Sequence, residues 1–141
     1  MAADPDKIAR QFIEAIPHAK ALSMQIVEIG GAVAEIMMPY DKRLIGDPAT
    51  GVIAGGAVSA LMDTCGGAAV MCHPEHPMGT ATIDLRIDYM RSATPGQAIT
   101  ARAECYHLTR AVAFVRATAF DEDRARPVAT ATGAFTVERA P

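Results

Sequence analysis

Residues 51–72 read GVIAGGAVSALMDTCGGAAVMC, an apolar run of helical length with a single carboxylate, Asp63, in its middle. Taking an ionised carboxylate out of water without a partner costs several kcal/mol, roughly enough to force protonation. Asp63 is therefore expected to be paired, hydrogen-bonded or functional. The run contains five glycines and a central charge and has no Lys or Arg in its immediate flanks, which argues against a membrane span. A helix starting near Ala54 or Gly55 and ending before Pro74 would be apolar nearly all round, so something broad has to wrap it.

The flanking segments supply that wrapping. Ile83, Leu85, Ile87 and Tyr89 alternate with Thr82, Asp84, Arg86 and Asp88, which predicts a strand over 81–90 with one buried face. Further strands are expected over 98–108, 111–120 and 128–137, punctuated by Pro95-Gly96, Thr109-Arg110 and the charged turn 121–126. Upstream, 24–29 and 32–38 read as a hairpin about Gly30-Gly31, and PYDKRLIGDPAT (39–50) reads as a loop. Asp4-Pro5 followed by Ile8, Phe12, Ile13 and Ile16 predicts a capped helix over about 4–16, ending before Pro17. No helical pattern separates the late strands. An α+β arrangement is expected, an antiparallel meander packed on one long helix as a single domain over 1–141.

Composition narrows the function. A chain of 141 residues with 50% hydrophobic content suits one core, and a net charge of -3 with scattered arginines offers no basic field for nucleic acid. The N-terminus lacks an apolar secretory core, so a cytoplasmic location is expected. Cys65, Cys72 and Cys105 read as reduced packing groups. Cys72-His73-Pro74-Glu75-His76 lacks HExxH or zinc-finger spacing and reads as a helix-ending turn, so no metal is expected.

GVIAGGAVSALMDTCGGAA, followed by ATIDLRIDYMRSATPG and the closing ATATGAFTV, resembles the hotdog-fold acyl-CoA thioesterases of the phenylacetate-pathway (PaaI-like) type. The resemblance spans Gly51 to Val137. It implies the hotdog fold, an acyl-CoA substrate, and hydrolysis without metal or organic cofactor. It also implies that the Gly55 amide donates to the thioester carbonyl and that Thr82 helps orient the attacking water.

The residues themselves fit such chemistry. Thioester hydrolysis needs donors aimed at the oxygen where charge develops and a base or nucleophile across the carbonyl. Gly55-Gly56 at a helix start offers unshielded N–H groups. Asp63 is the candidate base activating water, or the nucleophile forming a mixed anhydride. Gly56, Ser59, Arg91 and Ser92 are candidate substrate contacts, with Arg91 and Ser92 placed for the nucleotide or phosphates of coenzyme A. Ser59, one turn before Asp63, is also a candidate hydrogen-bond partner for it. Gly55 and Asp63 lie eight residues apart, about 12 Å along one helix, so one carbonyl cannot reach both. An obligatory homodimer with composite sites is therefore expected, with a dimer of dimers as the larger assembly it admits. A medium-chain or aryl acyl group suits the apolar helix. The alternative is a non-catalytic acyl-CoA or aromatic-acid binder, because Ala54 stands where such enzymes usually keep histidine and no amide side chain stands near Pro48.

Overall fold

The computed structural model describes residues 4–141. Helix α1 (Pro5–Glu14) starts at the expected cap, where the Asp4 carboxylate accepts a hydrogen bond from Asp6 N–H at 3.0 Å. The chain does not simply break at Pro17. Pro17 opens a second short helix, α2 (Pro17–Ala21), because a fixed φ suits a first helical turn as well as it ends a previous one.

Strands β1 (Gln25–Gly30) and β2 (Val33–Met38) form the hairpin, but its turn is Gly31-Ala32, one residue later than expected. Gly30 pairs with Val33, and both turn residues have positive φ, 59° and 66°. Ala32 tolerates this because its backbone is held on both sides: its N–H donates to Cys72 O at 3.2 Å and its carbonyl accepts from Cys105 N–H at 2.9 Å. Gly30 is glycine for another reason. Its φ of 151° is one that side-chain-bearing residues rarely adopt, and a Cβ there would also lie 2.9 Å from the Asp6 carboxylate, which would have to turn aside. The segment expected to be a plain loop holds a 3-10 turn (Lys42–Leu44) and a small two-stranded ribbon of β3 (Ile45–Asp47) and β4 (Val52–Ile53). Asp47 organises its bend by accepting from Ala49 N–H and Thr50 Oγ1, each at 3.0 Å.

Helix α3 (Gly55–Met71) is the expected apolar rod, 17 residues and about 26 Å long. Val58, Leu61, Met62, Cys65 and Val70 are buried against the sheet. The Cys65 thiol donates to the carbonyls of Ala34 and Ala101 at 3.3 Å, and burial pushes it up to about 12, which makes it an inert packing group.

The sheet consists of β1, β2, β5 (Thr82–Tyr89), β6 (Ile99–Leu108), β7 (Val112–Phe120) and β8 (Ala129–Thr136), in the order β1-β2-β6-β7-β8-β5 and antiparallel throughout. The meander is thus β6-β7-β8 only. β5 is not its first strand but an edge strand beyond β8. The preceding loop explains this. Met78 N–H donates to Glu138 O at 2.8 Å, Thr80 Oγ1 to Thr136 O at 2.7 Å, and Thr136 N–H to Ala81 O at 2.7 Å, stitching the chain to the end of β8 before β5 begins.

The expected apolar face of β5 is covered only in its middle within the protomer: Leu85 and Ile87 are half-buried against the core, whereas Ile83 is 56% and Tyr89 50% exposed. Among the described residues no helix is long and apolar enough to cross a membrane.

Candidate active site

The site is built along the face of α3 that the six-stranded sheet leaves open, and it has two ends. At the first end, Ala54 is extended (φ -59°, ψ 138°) and supplies no side-chain cap. Among the described residues, neither Gly55 N–H nor Gly56 N–H finds an acceptor. Orphan donors at a helix start, with the helix dipole behind them, form a ready place for developing negative charge.

The two glycines differ in their surroundings. A Cβ on Gly55 would touch the Tyr89 ring at 3.4 Å, whereas a Cβ on Gly56 would meet nothing within 4 Å. Packing within the chain therefore does not require glycine at 56. Gly66 is the opposite case, since a Cβ there would lie 2.8 Å from Phe135 Cζ. Its neighbour Gly67 has only ordinary contacts, the nearest at 3.7 Å, so close packing accounts for one member of that pair.

Ser59 does not partner Asp63. Its Oγ lies 3.1 Å from Gly55 O and in short contact with Tyr89 Oη, which lies 2.8 Å from Gly55 O, so the two hydroxyls share that carbonyl as their acceptor. Tyr89 is a site residue that the sequence reading missed. It had been absorbed into the apolar face of a strand, and the one available signal was a polar-tipped aromatic at the strand's end. Beside it, Val52, Ile53, Val58, Met90 and Val128 line a cavity of about 250 Å³ that reaches Gly55 and Ser92.

At the second end, Asp63 is half-buried rather than enclosed. Its partner is Thr82, whose Oγ1 donates to Asp63 Oδ1 at 2.5 Å across from the start of β5. The two line a cavity of about 230 Å³ with Phe12, Ile16, His18 and Thr80. The structure thus joins Asp63 to Thr82 and Gly55 to Ser59, but it does not bring Asp63 to Gly55, which lies eight residues away on the same helix, about 12 Å along its axis.

Arg91 is not free to bind a phosphate. Its guanidinium is paired bidentately with Asp121, Nη1 to Oδ2 at 2.7 Å and Nη2 to Oδ1 at 2.8 Å. Nε and Nη2 also donate to Arg126 O, and Nη1 donates to Ser92 O. This uses the whole donor set of the side chain. The guanidinium beside Asp121, together with Thr94 N–H and Oγ1 and Asp123 N–H, holds that buried carboxyl well below the usual range. Arg91 therefore clamps the loop after β5 to the end of β7. Ser92 stays exposed at the rim of the cavity beside Gly55.

The segment 72–76 forms a turn: Glu75 N–H donates to His73 Nδ1 at 3.0 Å, and the Glu75 carboxylate faces Arg139 at 3.5 Å. Among the described residues, no three His, Cys, Asp or Glu side chains converge as metal ligands.

Residues 50–128 match the family model described as "Thioesterase superfamily". A protein of Pseudomonas aeruginosa of known crystal structure is 36% identical, with a TM-score of 0.83 over 94% of this chain and 98% of that one. The PaaI protein of E. coli, from the phenylacetic acid degradation operon, is 19% identical with a TM-score of 0.85 over 97% and 95% of the two chains. A thioesterase family protein from Silicibacter pomeroyi is 22% identical with a TM-score of 0.84 over 96% and 99%. The last two likenesses concern the fold. No curated protein matches the chain.

Proposed function

The chain belongs to the thioesterase superfamily and has the hotdog fold, and from that premise we propose that it hydrolyses an acyl-CoA carrying a medium-chain or aryl acyl group to the free acid and coenzyme A. One observation carries this reading: Asp63, held by Thr82, lies on the same open helix face as two N–H groups that have no acceptor among the described residues. The apolar lining of the cavity beside Gly55 supports an uncharged acyl group.

Each site combines Asp63 of one protomer with Gly55 of the partner subunit. β5 is bonded on one side only, to β8, and Ile83 and Tyr89 at the two ends of its apolar face are exposed. Such an edge is a template for another strand. When two β5 strands pair antiparallel about a two-fold axis, the Thr82 end of one lies beside the Tyr89 end of the other. Asp63 sits at the Thr82 end and Gly55 at the Tyr89 end. The two-fold therefore closes the gap that one helix leaves open.

In the base route, Asp63 takes a proton from water as the water oxygen bonds to the thioester carbon. The carbonyl electrons move onto oxygen, where the N–H groups of the α3 start stabilise them. Collapse breaks the carbon–sulfur bond, and the coenzyme A thiolate leaves and recovers the proton. In the nucleophile route, Asp63 attacks the carbon directly, coenzyme A leaves, and water cleaves the mixed anhydride. Thr82 orients the carboxylate in both.

The test is coenzyme A release across an acyl-CoA panel by the protein and by Asp63→Asn. The substitution is expected to lower kcat by about 10²–10⁴-fold, the usual contribution of a positioned base. Equal turnover by both would remove Asp63 from the chemistry. Tight binding without turnover in the unsubstituted protein would leave a non-catalytic acyl-CoA binder.

A further inference from the structure

We infer that Tyr89 and Ser59 are positioning residues for the oxyanion site, and that the peptide they hold makes Gly56 N–H a second oxyanion donor beside Gly55 N–H. This rests on the thioesterase reading of the site.

Both hydroxyls reach the Gly55 carbonyl, Tyr89 Oη at 2.8 Å and Ser59 Oγ at 3.1 Å, and they touch each other. The Gly55 carbonyl and the Gly56 N–H belong to one planar peptide unit. A proton donated to the carbonyl oxygen draws electron density along that unit and leaves its N–H more positive, the cooperative strengthening found in hydrogen-bond chains. Gly56 N–H has no acceptor among the described residues, so this polarisation is not spent inside the protomer.

Two further features fit. A Cβ on Gly56 would meet nothing within 4 Å, so packing within the chain leaves the space beside its N–H open to a ligand. Two hydroxyls hold only two protons for three contacts, so one proton joins the hydroxyls and the other goes to the Gly55 carbonyl. The pair therefore works as a unit, with either hydroxyl able to serve as the terminal donor. It also sets the plane of the peptide, since Tyr89 is anchored in β5 and Ser59 one turn further along α3. The arrangement compensates in part for Ala54, which supplies no side-chain donor at this helix start.

The experiment pairs steady-state kinetics on the acyl-CoA panel with the amide nitrogen resonance of Gly56, for the protein, Tyr89→Phe and Ser59→Ala. Tyr89→Phe is expected to lower kcat about tenfold with KM within about twofold, less than the 10²–10³ that follows removal of a whole oxyanion donor. The Gly56 nitrogen resonance is expected to move upfield, because the hydroxyl that remains donates to the Gly55 carbonyl without the cooperative support of the other. Ser59→Ala should shift both quantities in the same direction, and it keeps the test open should Tyr89→Phe fail to fold. An unchanged kcat overturns the inference. So does a lower kcat with an unmoved Gly56 resonance, because Tyr89 would then only shape the cavity wall. Absence of turnover in the unsubstituted protein overturns the thioesterase reading instead, and the Gly56 resonance then decides the peptide claim alone, supported by a shift and overturned by none.

Discussion

At the scale of single residues, the chemistry-bearing groups divide by how far away their partners lie. Asp63 stands out in the sequence as a carboxylate in the middle of an apolar helix, the resemblance points to Thr82, and the structure shows a hydrogen bond between the two. Arg91 was misread because its partner Asp121 is 30 residues away, and nothing local announces a bidentate pair. That pair makes a testable difference to stability. The folded-state pKa of Asp121 is depressed, so its contribution is present above the ordinary carboxylate value, about 3.9, and is lost as pH falls below it. Asp121→Asn strands the mostly buried Arg91 guanidinium and is expected to cost about 3–5 kcal/mol near neutral pH. Urea unfolding between pH 7 and 3 checks this: the gap between the two proteins should narrow below about pH 4. A gap that stays constant down to pH 3 would mean that the ion pair is not the source of the difference.

At the scale of elements, periodicity placed every long strand and the helix within one or two residues, because burial on one face imprints a period on the chain. What it could not convey was order. The alternation in β5 reads the same whether the strand lies beside β6 or beyond β8, and the deciding bonds join the loop at 78–81 to the end of β8. The hairpin turn slipped by one residue for a similar reason. Local sequence favours Gly30-Gly31, but tertiary bonds hold Ala32 at positive φ. The β5–β8 junction also depends on one glycine. A Cβ on Gly133 would lie 2.7 Å from Asp84 O and 2.8 Å from Leu85 Cδ1, where β5 bulges toward β8. Gly133→Ala must displace backbone and is expected to destabilise by about 1–3 kcal/mol. Gly67→Ala, with its nearest neighbour at 3.7 Å, should be neutral or gain up to about 1 kcal/mol of helix propensity. Thermal unfolding of the two variants separates the positions, and similar melting temperatures would mean that β5 yields at the bulge without cost.

At the scale of the whole molecule, the proposed site needs groups that one protomer does not bring together. Asp63 and Gly55 lie on one helix about 12 Å apart, and the strand that touches both ends, β5, has an unpaired edge and exposes Ile83 and Tyr89. The sequence alone could supply the spacing but not the edge, since the position of β5 was not legible. The structure lets the composite site be tested without breaking the fold. Gly55→Pro deletes the Gly55 N–H at the first position of α3, where proline is favoured, and the preceding Ala54 already has the extended backbone that a proline requires. Homodimers of Gly55→Pro lack a donor, and homodimers of Asp63→Asn lack the carboxylate, so each is expected to lose about 10²-fold or more in kcat. In the proposed arrangement, where each site takes Asp63 from one protomer and Gly55 from the other, a mixed dimer has one site with both defects and one with neither. With random reassociation half the dimers are mixed, so co-refolding equal amounts should restore about a quarter of the unsubstituted activity. If both groups acted within one chain, every site in the mixture would carry a defect and mixing would restore nothing.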